Sequence, residues 1–167
     1  FYNRRVRRIL PALVFTALLT AVAAFAWLLP SFLVDFSKSL VSVSTFVSNF
    51  YFWKASGYFE NSALLRPMLH TWSLEVEEQF YIFMPIAAYV VHRFIGKRWL
   101  LIFGAAALSS LALSIYATQV GPTANFFLLP TRAWELLLGA LIACLPRRRK
   151  TGALDQALSL AGLALII

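Results

Sequence analysis

At 167 residues, with 60% hydrophobic and only 13% charged side chains and a mean hydropathy of +0.74, the chain lies outside the range of soluble domains and reads as an integral membrane protein. Its net charge of +8 does not point to nucleic acid, because most of the Lys and Arg residues stand in three clusters beside apolar runs: Arg4, Arg5, Arg7 and Arg8; Arg93, Lys97 and Arg98; and Arg147, Arg148, Arg149 and Lys150. The single cysteine, Cys144, excludes an internal disulfide and a thiolate metal cluster.

In chain order, apolar runs near the length that crosses a bilayer, about 17–25 residues, predict helices over residues 9–29, 74–92, 100–117 and 126–145, with a further one over 153–167. Short basic loops stay on the cytoplasmic side. Keeping all three clusters there sends 9–29 outward, 74–92 inward, 100–117 outward and 126–145 inward. The Gly-Pro pair within 119–125 then makes an outer turn.

Residues 39–53 are apolar enough to suggest another crossing, yet a crossing there would turn the second and third basic clusters outward. As a helix, the segment sets Leu40, Val43, Val47 and Phe50 on one face and Ser42, Thr45 and Asn49 on another. That is the pattern of an interfacial or re-entrant helix whose polar face lines a wet cavity. An ordinary spanning helix that packs through its serines is the alternative. The expected architecture is all-α: a polytopic transmembrane bundle, one domain over 1–167 truncated at both ends, with the 39–53 helix in a long extracytoplasmic connector.

Charged side chains at mid-helix in a bilayer cost roughly 2.5–3.5 kcal/mol on insertion scales, so ionisable groups near apolar runs are the functional signal. Arg5 and Arg8 are one helical turn apart and suit a phosphate clamp, although a plain topology flank has the same residues. His70 and the acids Glu75, Glu77 and Glu78 crowd the start of the 74–92 helix, where Ser73 offers a cap and carboxylates favour the helix dipole. Glu75 and Glu78 are expected to share a face with Gln79, and Glu77 to project elsewhere with Tyr81. Arg132 and Glu135 form an i, i+3 pair that either locks two helices or binds substrate beside His70 and Glu75. His92 and Arg93 read as an interfacial, solvated pair at the inner end. The two histidines fall at opposite faces of this arrangement, which argues against a metal site.

The stretches "FYNRRVRRILPAL", "SNFYFW", "LHTWSLEVEEQFYIFMP" and "RAWELLLGALIA", in this order, resemble the membrane-bound acyltransferase-3 family of bacteria, and the resemblance covers nearly the whole chain. It implies a multi-pass protein of the bacterial cytoplasmic (inner) membrane. The implied reaction is transfer of an acyl group, typically acetyl from acetyl-CoA or another acyl-CoA, to a hydroxyl of a surface carbohydrate such as lipopolysaccharide O-antigen or an exopolysaccharide. Besides membrane lipid, acyl-CoA and the glycan are the implied partners. Arg5 and Arg8 match the family's Arg-x-x-Arg element and are implied to hold the donor's phosphates. The family's essential histidine belongs to a helix expected before Phe1. His70, Glu75, Glu78, Arg132 and Glu135 are therefore assigned to the acceptor side. A secondary transporter for an anionic or proton-coupled solute is the competing class of function.

Overall fold

The computed structural model describes residues 2–56 and 66–144, together with positions 156, 162 and 164. Every element it describes is helical: α1 (Tyr2–Trp27), α2 (Pro30–Ser44), α3 (Ser48–Ser56), α4 (Trp72–Ile95), α5 (Trp99–Val120), α6 (Pro122–Phe127) and α7 (Leu129–Cys144), with single 3-10 turns at Leu69–Thr71 and Gly96–Arg98. Apart from the three isolated positions, the helix expected over 153–167 lies outside the described residues, as does the cluster Arg147–Lys150.

Three stretches, Tyr2–Trp27, Trp99–Val120 and Pro122–Cys144, are long and apolar enough to cross a membrane. They correspond to the runs expected over 9–29, 100–117 and 126–145, the last being divided at Leu128 into α6 and α7. The run expected over 74–92 is α4. It is long enough but not one of these three. Acids crowd its first turns, and His92 and Arg93 its last, so its apolar interior is short.

The helix expected over 39–53 is two helices. α2 ends at Ser44, Phe46 takes a left-handed φ of 56°, and α3 begins at Ser48. The amides of Phe46 and Val47 turn back onto the carbonyls of Val43 (3.1 Å) and Ser42 (2.9 Å). This closes the helix as a C-terminal glycine usually does, but with a phenylalanine in the strained position. The expected polar face does not line a wet cavity. Ser39 and Ser42 are buried, and each donates its hydroxyl to the carbonyl three residues back, on Phe36 and Ser39 (both 2.7 Å). The helix thereby satisfies its own serines. Asn49 follows the break, which turns it out of the Ser42 face and towards α4.

Two apolar clusters result. Ala24, Phe36, Val43, Phe52, Met68 and Phe127 join α1, α2, α3 and α6, whereas Phe80, Phe103, Ala107 and Leu137 join α4, α5 and α7. The second cluster is the one formed around α5 and α7. On the other side of α1, Phe15, Leu18, Leu19, Val22 and Phe25 stay exposed, as suits lipid or a further helix rather than water.

α1 and α4 run antiparallel. The Tyr2 hydroxyl donates to the Ile82 carbonyl (3.1 Å), Arg5 reaches Glu78 (2.7 Å), Ile9 meets a groove with Leu74, and Thr16 shares another with His70. Charge parity placed Arg5 and Arg8 at the inner face and His70 to Glu78 at the outer mouth. The structure corrects this by setting them side by side. Parity constrains the direction of each helix, and the antiparallel pair keeps those directions; it says nothing of axial offset, which the cross-helix ion pair sets.

α5 and α7 are bridged by one hydroxyl: Ser110 donates to the Pro130 carbonyl (2.6 Å) and accepts from the Trp134 amide (3.0 Å). Ser110→Ala removes a net contribution of about 1 kcal/mol. The expected result is a Tm lower by about 2–4 °C in detergent; an unchanged Tm would show that the α7 backbone bond closes without the serine.

Candidate functional site

The start of α4 distributes its polar residues over three neighbours, because successive residues of a helix turn by about 100°. Leu74, Glu77, Glu78 and Tyr81 face α1; Glu75 and Gln79 face α3; Trp72, Ser73 and Val76 face α6 and α7. The expected common face for Glu75 and Glu78 is therefore not kept. They are about 60° apart around the axis, enough for two different helices to claim them.

Glu75 is 1% exposed. Its Oε2 accepts the amide of Ser48, in a short contact, and that of Asn49 (3.3 Å). A carboxylate supplied from another helix thus satisfies the first amides of α3 and meets the positive end of its dipole. Oε1 is buried without a hydrogen-bond partner among the described residues. One turn on, Gln79 and Asn49 exchange amide hydrogen bonds (Gln79 Nε2 to Asn49 Oδ1 2.9 Å; the reverse 3.4 Å). Gln79 Nε2 also donates to the carbonyl of Phe46 (3.2 Å), the residue at the helix break. Asn49 Nδ2 donates to the Phe127 carbonyl (3.2 Å). This side of α4 is a hydrogen-bonded polar core, unsatisfied among the described residues at Glu75 Oε1, that holds α3 and α6.

On the α1 side, Arg5 is gripped from three directions. Its Nε lies 2.7 Å from Glu78 Oε1, an Nη is 4.0 Å from Glu77 Oε2, and the guanidinium stands 3.3 Å above the Tyr81 ring. Arg8 makes no ion pair among the described residues. It lines a cavity of about 290 Å³ with Arg5, Ile9, Leu74, Glu77 and Tyr81. Through Arg8, Ile9 and Leu74 this cavity adjoins a second of about 290 Å³ that runs past Leu13 and Thr16 to His70. His70 is exposed in the 3-10 turn before α4 and shares this groove with Arg8, not with Glu75. The Ser73 cap expected there is absent: the helix starts at Trp72, and the Ser73 hydroxyl turns to the His70 carbonyl (3.4 Å).

The third side carries Arg132, whose Nη lies 3.5 Å from Glu135. The guanidinium stands 5.0 Å from the Trp72 ring centroid and 5.7 Å from that of Phe126. Trp72, Ser73, Val76, Glu77, Arg132, Glu135 and Leu136 enclose a groove of about 210 Å³. The five residues assigned to the acceptor side thus do not form one site: Glu75 is in the core, Glu78 is on Arg5, His70 is beside Arg8, and only Arg132 and Glu135 stay together. The sequence grouped Glu77 with Tyr81 on a separate face but left both, and Trp72, out of the assigned site. The signal for Tyr81 was present, since it follows Glu77 by four residues and so sits above it on the same stripe.

Glu78 precedes Arg93 by 15 residues on α4, about 22 Å along the axis at 1.5 Å per residue. His92 lies at the far end of α4, against an apolar groove with Met84, Tyr89, Trp99, Phe103 and Cys144.

A family model described as an acyltransferase domain, acyltransferase 3, matches residues 1–167. The chain is 31% identical over its whole length to BcsY of Komagataeibacter xylinus, a membrane-bound transacylase by name, and spans 43% of that protein. It is 33% identical to an uncharacterized protein of Haemophilus influenzae over 86% of the chain and 61% of the relative. To the O-acetyltransferase OatA of Staphylococcus aureus it is 29% identical over 86% of the chain and 24% of the relative. The chain therefore spans less than two thirds of each of these relatives. No solved structure matches it at a significant level.

Glu75→Ala strands two buried amides, each at about 1–3 kcal/mol, whereas Glu75→Gln keeps an acceptor. Thermal unfolding in detergent is expected to place the Ala variant at least about 4 °C below the Gln variant; equal Tm values would mean that α3 does not depend on this carboxylate.

Proposed function

The chain belongs to the acyltransferase-3 family, and on that premise we propose that the protein is an integral membrane acyltransferase which moves an acyl group, acetyl in the simplest case, from acyl-CoA to a hydroxyl of a surface carbohydrate. Lipopolysaccharide O-antigen and exopolysaccharide are the acceptor classes, and the bacterial cytoplasmic membrane is the setting. The three membrane-length helices and the membrane-bound and O-acetyltransferase relatives support this reading.

One observation carries it: Arg8, without an ionic partner among the described residues, opens onto the same groove as Arg5. A groove with the exposed Arg8 at one end and a floor that continues along Ile9, Ala12 and Leu13 suits a donor with phosphates at one end and a long, thioester-bearing arm at the other. Within this reading the two arginines divide the work. Arg5, clamped by Glu78 and Tyr81, gives a fixed charge that costs no reorganisation, while Arg8 is free to form the bidentate phosphate contact. His70, at the other end of the groove, is within reach of the donor's far portion. The acyl transfer itself is served by positioning, which converts a bimolecular encounter into a local one.

The test is transfer of label from radiolabelled acetyl-CoA to surface polysaccharide by the full-length protein in membrane vesicles. Absence of covalent transfer, accompanied by uptake of an anionic solute, would sink the enzyme in favour of a transporter. Arg8→Ala is expected to raise the donor KM about ten- to hundredfold, the loss of one charge-assisted contact of about 1.5–3 kcal/mol. An unchanged donor KM would return Arg8 to a topology signal.

A further inference from the structure

The proposed function leaves open where the two substrates meet. The α1–α4 groove and the α4–α7 groove lie on opposite sides of the first turns of α4, and Glu77 lines both. About half of its side chain, 48%, is exposed. Its neighbour Glu78 takes Arg5 at 2.7 Å, and Glu77 stands off at 4.0 Å, so its carboxylate keeps acceptor capacity for a ligand.

The two grooves differ in charge. In the first, Arg5 is already paired with Glu78 and stands near Glu77, so the exposed Arg8 is the charge left for an anionic ligand. In the second, Arg132 faces two acids, Glu77 and Glu135, and is already paired with the latter, which disfavours a phosphate. What the second groove offers is an indole, a forked donor, two carboxylates and the Ser73 hydroxyl. An aromatic face for C–H groups, with acceptors and donors at its rim for hydroxyls, is the chemistry that recognises an uncharged sugar. At about 210 Å³ and 290 Å³, each cavity is also smaller than the roughly 300–1,000 Å³ of a complete small-molecule site. Each accommodates part of the reacting pair.

We propose that donor and acceptor meet across Glu77: the α1–α4 groove takes the phosphorylated thioester, the α4–α7 groove takes a neutral sugar unit, and Glu77 accepts the hydrogen bond of the sugar hydroxyl and holds its oxygen towards the acyl carbon. This rests on the acyl-CoA to carbohydrate reading above. In the transfer the thioester C–S bond breaks and an ester C–O bond forms. The hydroxyl proton ends on the sulfur of the departing thiol. Glu77 positions the nucleophile, and the α4 ridge that carries it separates the two substrates until that contact.

The experiment uses the full-length protein in membrane vesicles, with acetyl-CoA as donor and purified surface polysaccharide as acceptor. Three quantities are followed: the rate of transfer to sugar, the rate of release of free acetate, and the donor KM. Glu77→Gln is expected to lower kcat for transfer to sugar at least about thirtyfold, with donor KM within about threefold, and Glu77→Asp to recover part of the loss. Arg132→Gln is expected to raise the acceptor KM and leave the donor KM unchanged. A stable Glu77→Gln protein, judged by Tm, that transfers to sugar within about twofold of wild type overturns the role of Glu77. A donor KM that rises with Arg132→Gln overturns the division of the grooves. If the wild-type protein makes no acetylated sugar, the underlying reaction fails first, and this inference falls with it.

Discussion

A charged side chain on the flank of an apolar helix fixes that helix against whichever neighbour answers its charge. In this chain the answering contact is Arg5 on Glu78, with the Tyr81 ring against the guanidinium. It does more than neutralise. By joining the beginning of α1 to the second turn of α4, it sets the axial offset of the two helices, brings Arg8 and His70 to one groove, and leaves Glu77 on the ridge beside it. Without that pairing the two helices would be free to slide, and the grooves on either side of α4 would lose their definition.

α4 is consequently the organising element, although it is the least membrane-like of the long helices. One stripe binds α1 through charge, a second holds α3 and α6 through Glu75, Gln79 and Asn49, and a third meets α6 and α7 through Trp72 and Val76. The second stripe shows how the strained Phe46 is kept in place: its carbonyl is taken by Gln79, and the amides just beyond it are taken by Glu75. A backbone conformation that a bulky residue rarely adopts persists because the surroundings over-determine it.

The apolar periodicity and the length of the runs were enough to make the chain all-α with helices fit to cross a membrane, and to place α4, α5 and the α6–α7 stretch within a few residues, while α1 begins seven residues earlier than expected, through its arginines. Hydrophobicity acts locally, and a run of about 20 apolar residues carries its meaning without its neighbours. The break at Phe46 was not legible, because a Thr-Phe-Val sequence has neither glycine nor proline to announce a turn. It exists because Gln79 and Glu75, more than 25 residues away, supply its hydrogen bonds. The burial of Ser42 was open in the sequence between a wet face and a packing face, because a serine hydroxyl satisfied by its own helix looks, in sequence, like one waiting for water.

By itself the sequence determined which residues were chemically exceptional, since an ionisable side chain in apolar surroundings is costly wherever it ends up. It also carried the family, through four separated stretches in order. What only the tertiary structure decided is which of those residues act together. Three glutamates within four positions look equivalent in a string, yet a 100° step per residue sends Glu75 to the core, Glu78 to an arginine and Glu77 to the crest between two grooves. That assignment depends on which helix packs against which face, and on the offset at which it packs, and neither quantity is a property of α4 alone.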